Sequence, residues 1–318
     1  MRYIFLTVMV LVFLIRYQGI NQQTPVTTDN IPLGSLRMKM QTNLIKWLPG
    51  DTGPLASGIL LGGNQGLSFE AKTAFRKSGL MHVTAASGYN VVVVAGWVMT
   101  AGKKLWGRKP AVGSGILSVV LYMFLAGLSA AVVRAGIMAI LTMAAAFWGR
   151  KSDAGWTLVL ASMLMLIIRP QWVSDIGFQL SVAATAGLIW LAVGSGLLLA
   201  DLKTTIAAQI ATLPLILHYF GNLSLFSPIV NLLVLWTVPV IMEISAIASV
   251  LGLVWQPLGG IVILAAWPFL AFMDRLVEWA ATWPGAGLEI GKLDWIWVGI
   301  YYLAVAMLFP RKKNEAMV

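Results

Sequence analysis

The chain has no cysteine and only two histidines, His82 and His218. Disulfides, thiolate metal sites and cysteine nucleophiles are therefore excluded, and a histidine-based metal centre has too few ligands. Charge is scarce as well: 11% of the 318 residues are charged and 59% are hydrophobic, more apolar surface than a water-soluble domain of this size needs. The expected fold class is all-α, a polytopic membrane bundle. Acid is the scarcer sign, 12 Asp+Glu against 22 Lys+Arg, which leaves +10. On a membrane protein that excess belongs first to cytoplasmic loops, and it can also attract a polyanion. No phosphate-binding loop, dinucleotide fingerprint, zinc motif or nuclease-like carboxylate cluster occurs, so the sequence calls for no cofactor and has no means of hydrolysing a nucleotide.

Residues 3–20 are apolar and bracketed by Arg2 and Arg16. No small-x-small cleavage site follows, so they are read as a retained anchor helix. Residues 21–35 carry Pro25, Pro32 and a Thr/Asn/Asp cluster, the composition of a linker; 1–35 is thus an anchor and linker, and 36–318 the membrane domain. In its first part, 36–78, Leu36, Met40, Leu44 and Leu48 recur every four residues with Arg37, Lys39 and Lys46 between them, an amphipathic helix for the membrane interface. A short apolar helix over 55–61 stops at Gly62-Gly63-Asn64, and Ser68 caps a further helix bearing Glu70, Lys72, Arg76 and Lys77.

Within 79–310, apolar runs at 79–101, 111–128, 130–148, 155–169, 177–200, 204–220, 226–253, 257–273 and 294–310 approach membrane-crossing length. With the anchor they predict about ten transmembrane segments. The basic connectors Lys103 to Lys109, Arg150-Lys151, Lys203 and Arg311-Lys312-Lys313, together with Arg2, then all fall on one side, which the positive-inside rule makes cytoplasmic. Both termini are expected there. Residues 21–78 are then external and carry Arg37, Lys39, Lys46, Lys72, Arg76 and Lys77, either a solvated face or a collar that gathers a polyanion. Trp279 and Trp283 among the charges of 274–294 predict an external interfacial helix.

Polar residues inside the spans are the candidate site. Arg134 is the only charge in the run from Ala111 to Trp148. A charge in hydrocarbon costs roughly 2.5–3.5 kcal/mol on insertion scales, so it either snorkels to the interface or faces the bundle interior. His82, Thr84, Ser87 and Asn90 follow one another closely, and on a continuous helix Thr84, Ser87 and Asn90 share a side; Ser87-Gly88 can also break that helix. Asp175 stands where a helix begins, with Gln179 and Ser181 behind it. Gln209, His218, Asn222, Ser224 and Asn231 lie around Pro214, Gly221 and Pro228, whose seven-residue spacing predicts broken helices. Glu243, after Pro239, reads as a second buried ionisable group and a conceivable partner for Arg134.

Four blocks in order resemble the ComEC family of bacterial competence proteins: Phe75 to Asn90 (FRKSGLMHVTAASGYN); Arg134-Ala135 with Met138, then Gly149-Arg150; Pro170 followed by GFQLS at 177–181; and Leu213-Pro214, Phe220-Gly221 and Asn231-Leu232. The resemblance spans residues 40–255. It implies a channel that passes single-stranded transforming DNA across the cytoplasmic membrane, reading no sequence. It also implies a lipid bilayer around the chain, a separate DNA receptor, a cytoplasmic ATP-driven motor and a separate nuclease subunit as partners. On this reading Arg134, His82, Ser87, Asn90, Asp175, Gln179, His218, Asn222, Asn231 and Glu243 line the path, and Arg37, Lys39, Lys46, Lys72, Arg76 and Lys77 capture DNA outside. Tyr89-Asn90 departs from the pairs the family often has there. The family's OB-like domain finds no room in 21–35, and its metallo-β-lactamase-like domain does not follow the last span, so no enzymatic activity is expected. Two other classes remain: a secondary transporter with Arg134 as its anion site, and an intramembrane serine hydrolase built on Ser87 and His218.

Overall fold

The computed structural model describes residues 2–18, 32–191 and 200–308. The Arg311-Lys312-Lys313 cluster, most of the 21–35 linker and the side chain of Arg2 lie outside the described residues. The fold is helical: α1 (Arg2–Gln18), α2 (Gly34–Trp47), α3 (Thr52–Leu61), α4 (Phe69–Lys77), α5 (Gly88–Trp106), α6 (Arg108–Leu125), α7 (Ala130–Phe147), α8 (Ala154–Ile168), α9 (Ile176–Leu191), α10 (Ala200–Phe220), α11 (Ser227–Leu235), α12 (Thr237–Val254), α13 (Gln256–Ile263), α14 (Trp267–Ala281) and α15 (Trp295–Leu308). The sheet consists of two short antiparallel strands, β1 (Asn222–Leu223) and β2 (Leu288–Glu289), with Asn222 opposite Glu289.

Local chemistry sets many of the helix ends. Ser68 Oγ accepts from the Ala71 amide and starts α4; Asp51 in turn accepts from the Ser68 amide and hydroxyl at 2.7 Å each. Asp175 Oδ1 accepts from the Phe178 amide at 2.7 Å and starts α9, the capping role its position predicted. Of the three expected breakers, Gly221 ends α10 with φ +68, and Pro228 opens α11. Pro214 sits inside α10 without ending it.

Three stretches depart from the simple spans. The run 226–253 divides into α11 and α12 at Trp236, because Pro239 has no amide hydrogen for the Leu235 carbonyl. Pro268 does the same for Leu264, leaving a 3₁₀ turn at Leu264–Ala266 between α13 and α14. α14 then continues to Ala281, so the helix expected to begin at 274 is the second half of a longer one. Finally, the chain makes a 3₁₀ turn at Met81–Thr84, and α5 begins only at Gly88. Thr84, Ser87 and Asn90 are therefore not on one helical face. Among the described residues Ala130–Phe147, Thr237–Val254 and Gln256–Ala281 are long and apolar enough to cross a membrane.

The core is organised around α3, all ten of whose residues are buried. It packs against α2, α12 and α14, with Leu55, Ile59 and Leu61 beside Ile241, Met242, Leu270 and Met273. α2 is held by Trp47, whose indole enters a notch in the α12–α13 hairpin: a Cβ on Gly252 would lie 2.2 Å from Trp47 Cη2, and one on Gly259 2.6 Å. A second cluster, with Ala130, Val133, Met165, Leu166 and Phe178, joins α7, α8 and α9.

A helix end leaves its last carbonyls without intrahelical partners, and α3 ends inside the protein. Side chains from three other helices meet that need. Asn90 Nδ2 donates to Ile59 O at 2.6 Å, Tyr122 Oη to Leu60 O at 2.9 Å, and Arg37 Nη2 to Gly62 O at 3.1 Å. The Arg37 cation also sits at the negative end of the helix dipole.

Candidate functional site

Arg134 is the fifth residue of α7 and only 6% exposed. Its Nε donates to Ser181 Oγ at 2.9 Å and its Nη1 to Thr185 Oγ1, both on α9. Nη1 also lies 3.6 Å from Met138 Sδ. Ser181 and Thr185 are four residues apart, which puts their hydroxyls on one face of α9. Hydroxyls orient a guanidinium but do not neutralise it. Among the described residues no carboxylate pairs with Arg134. A buried charge without its opposite is costly, and such groups inside membranes are functional more often than structural.

The remaining nitrogen, Nη2, points toward the start of α5. It lies 3.4 Å from where a Cβ on Gly88 would be, and Ala135 Cβ lies 3.1 Å from the same point. Any side chain here would crowd Ala135, so glycine lets the start of α5 approach α7 this closely. Next to it, Ser87 Oγ donates to Asn90 Oδ1 at 3.1 Å. The structure thus gathers Arg134, Ser87 and Asn90 in one neighbourhood. Asn90, however, is 1% exposed and engaged at both ends of its carboxamide, so it fastens helices instead of facing a water path.

A second polar neighbourhood forms where the Met81–Thr84 turn meets α10 and α11. His82 is exposed, with Asn231 of α11 beside it. Asn231 Nδ2 donates to Thr205 Oγ1 at 2.9 Å, while its Oδ1 is buried without a partner, as are Gln209 Oε1 and Ser224 Oγ.

Other predicted path residues have structural partners. Gln179 donates to Val173 O and accepts from Tyr219 Oη, both at 2.8 Å. His218 Nδ1 is 2.6 Å from Leu293 O, and its ring centroid is 4.1 Å from that of Trp295. With the Ser87 hydroxyl turned to Asn90 and His218 held by Leu293, the nucleophile–base pair of a serine hydrolase is not formed. Asn222 pairs with Glu289 in the small sheet. Glu243 corrects the sequence reading: it is exposed on α12, not buried, and is not a partner of Arg134. α12 turns Met242 and Ser245 to the core, and Glu243 falls on its other side.

In the basic layer Lys39, Lys46, Arg76 and Lys77 are exposed and Lys72 is half-buried. Arg37 differs. It threads between Gly62 and Gly127, where a Cβ on Gly127 would collide with its guanidinium at 1.8 Å. Burial pushes its pKa below the ordinary value, and the group remains charged at neutral pH. Sequence reasoning missed this latch, and it missed Thr185 and Tyr122. Spacing alone offered a signal for the Ser181–Thr185 pair.

The fold and this centre define an α-helical membrane protein with a buried, unneutralised arginine. The family model for "Competence protein" matches residues 59–314, and the chain belongs to that family. It is 26% identical to ComE operon protein 3 of Bacillus subtilis (strain 168) over 254 residues, which are 77% of this chain and 31% of that protein. It is 31% identical to competence protein ComA of Neisseria gonorrhoeae over 175 residues, 50% of this chain and 24% of that protein. The matched region is thus a third or less of the length of these curated relatives. No solved structure matches the chain.

Proposed function

We propose that this chain is the membrane channel part of a DNA-uptake system, carrying a single strand across the cytoplasmic membrane. Membership of the competence family over residues 59–314 carries the reading. The buried Arg134 without a carboxylate supports it, because a phosphate backbone supplies the missing negative charge. The chain crosses the membrane about ten times with both termini in the cytoplasm. Lys39, Lys46, Lys72, Arg76 and Lys77 gather DNA outside without reading its sequence. A separate receptor delivers the DNA, a separate ATP-driven motor pulls it, and any nuclease step belongs to another subunit. The test is uptake of labelled DNA into nuclease-protected form by cells with and without the chain. Equal uptake overturns the reading. The unneutralised arginine also suits a transporter of a small anion; accumulation of inorganic phosphate without DNA uptake would establish that instead.

A further inference from the structure

We propose that Arg134, Gly88 and the first amides of α5 form a binding site for one phosphodiester group of a nucleic-acid backbone. The ligand class rests on the channel reading; the site itself rests on geometry. α5 is 19 residues long, so its N-terminus carries a substantial positive end. That end has no side-chain cap, because the Ser87 hydroxyl is spent on Asn90 Oδ1. Among the described residues the amides of Gly88 and Tyr89 donate to no carbonyl or side chain. Into this end points the free Nη2 of an arginine more than nine-tenths buried, while its Nε and Nη1 are fixed by Ser181 and Thr185.

The parts complement one another. Two amides at the start of α5 and one guanidinium nitrogen of α7 come together beside Gly88, whose lack of a side chain lets the two helices approach this closely. The hydroxyls of Ser181 and Thr185 fix the guanidinium plane before any ligand arrives, so little ordering is left to the binding step. One uncompensated positive charge matches the single negative charge of a phosphodiester. Access exists: Ser87 and Gly88 are half-buried and Tyr89 is 45% exposed. Because the contacts fall on phosphate oxygens, the site holds any base sequence alike.

The test uses the full chain in an uncharged detergent with dimethyl phosphate, the smallest phosphodiester, followed by phosphorus NMR line broadening. The parent broadens the signal saturably. Gly88→Ala crowds Ala135 and the guanidinium and keeps the charge, Arg134→Lys keeps the charge and loses the fork, and both weaken binding about tenfold or more, the weight of one charge-assisted hydrogen bond. Gly96→Ala on the same helix, where a Cβ meets nothing within 4 Å, leaves binding unchanged. Melting temperatures show which variants are folded; should Gly88→Ala unfold, Arg134→Lys decides alone. No saturable broadening in the parent, or equal broadening in folded variants, overturns the site whatever DNA uptake shows. Lost DNA uptake activity with intact binding would overturn only the channel reading. A thymidine tetranucleotide displaces the probe; displacement by phosphatidylglycerol and not by the tetranucleotide would assign the site to lipid and overturn the nucleic-acid assignment.

Discussion

Asn90 Nδ2 donates to the carbonyl of Ile59 at 2.6 Å, joining the first turn of α5 to the last turn of α3. The bond satisfies a carbonyl that α3 cannot satisfy itself and places the α5 N-terminus against Arg134. Asn90→Leu leaves that carbonyl buried and unpaired, at a cost of about 1–3 kcal/mol. Asn90→Asp costs at least as much, because a carboxylate repels the carbonyl oxygen. Thermal unfolding in detergent reads both; a melting temperature equal to the parent's in Asn90→Leu contradicts the role.

Trp47 in its glycine notch predicts a coupled pair. Trp47→Ala empties a packed site and destabilises by about 3–5 kcal/mol. Gly252→Ala overpacks the same site, costing about 1–3 kcal/mol. In the double variant the two costs do not add, since the smaller side chain makes room for the added methyl. Strict additivity in a double-mutant cycle argues that the two residues do not touch in the folded protein.

The basic layer proposed to face outward predicts salt-sensitive DNA binding. Each phosphate contact contributes about 0.7 to the fall of log K per decade of salt for single strands. Replacing the exposed Lys39, Lys46, Arg76 and Lys77 with glutamine lowers both the affinity and the slope. Arg37→Gln acts differently: it releases Gly62 O and lowers the melting temperature. Binding that ignores salt, or survives all four replacements, contradicts capture by this layer.

Topology is checked by reporter fusions. Fusions after Gly107 and Gly149 report cytoplasm, and one after Gly291 reports the exterior. Any reversed pair breaks the parity on which the ten-span arrangement depends.

How much the sequence disclosed depended on how local each cause was. Caps act within three residues, so Ser68 and Asp175 could be read directly. The break before Gly88 could be named as an option only. Its cause is distant: the α3 backbone packs so closely on this segment that a Cβ on Gly58 would lie 2.4 Å from Thr84 O. Helical periodicity therefore misplaced Thr84, Ser87 and Asn90 on one face. Glu243 was misread because an apolar run does not say which side of a helix is inward. Arg134 could be singled out from composition, whereas its partners Ser181 and Thr185 lie 47 and 51 residues away and became partners only through the packing of α7 on α9.

The central claim is that a buried arginine fork takes part in moving DNA through this protein. Its most direct measurement is uptake of labelled DNA into nuclease-protected form by cells carrying Arg134→Lys, Arg134→Ala or Glu243→Gln at equal membrane abundance. The structure predicts loss of uptake in both Arg134 variants, because lysine restores the charge and not the planar set of donors. Glu243→Gln transports as the parent does, since Glu243 is exposed and pairs with nothing at the site. Parental uptake by Arg134→Lys would show instead that Arg134 serves only as a charge reaching the interface, and would contradict the account.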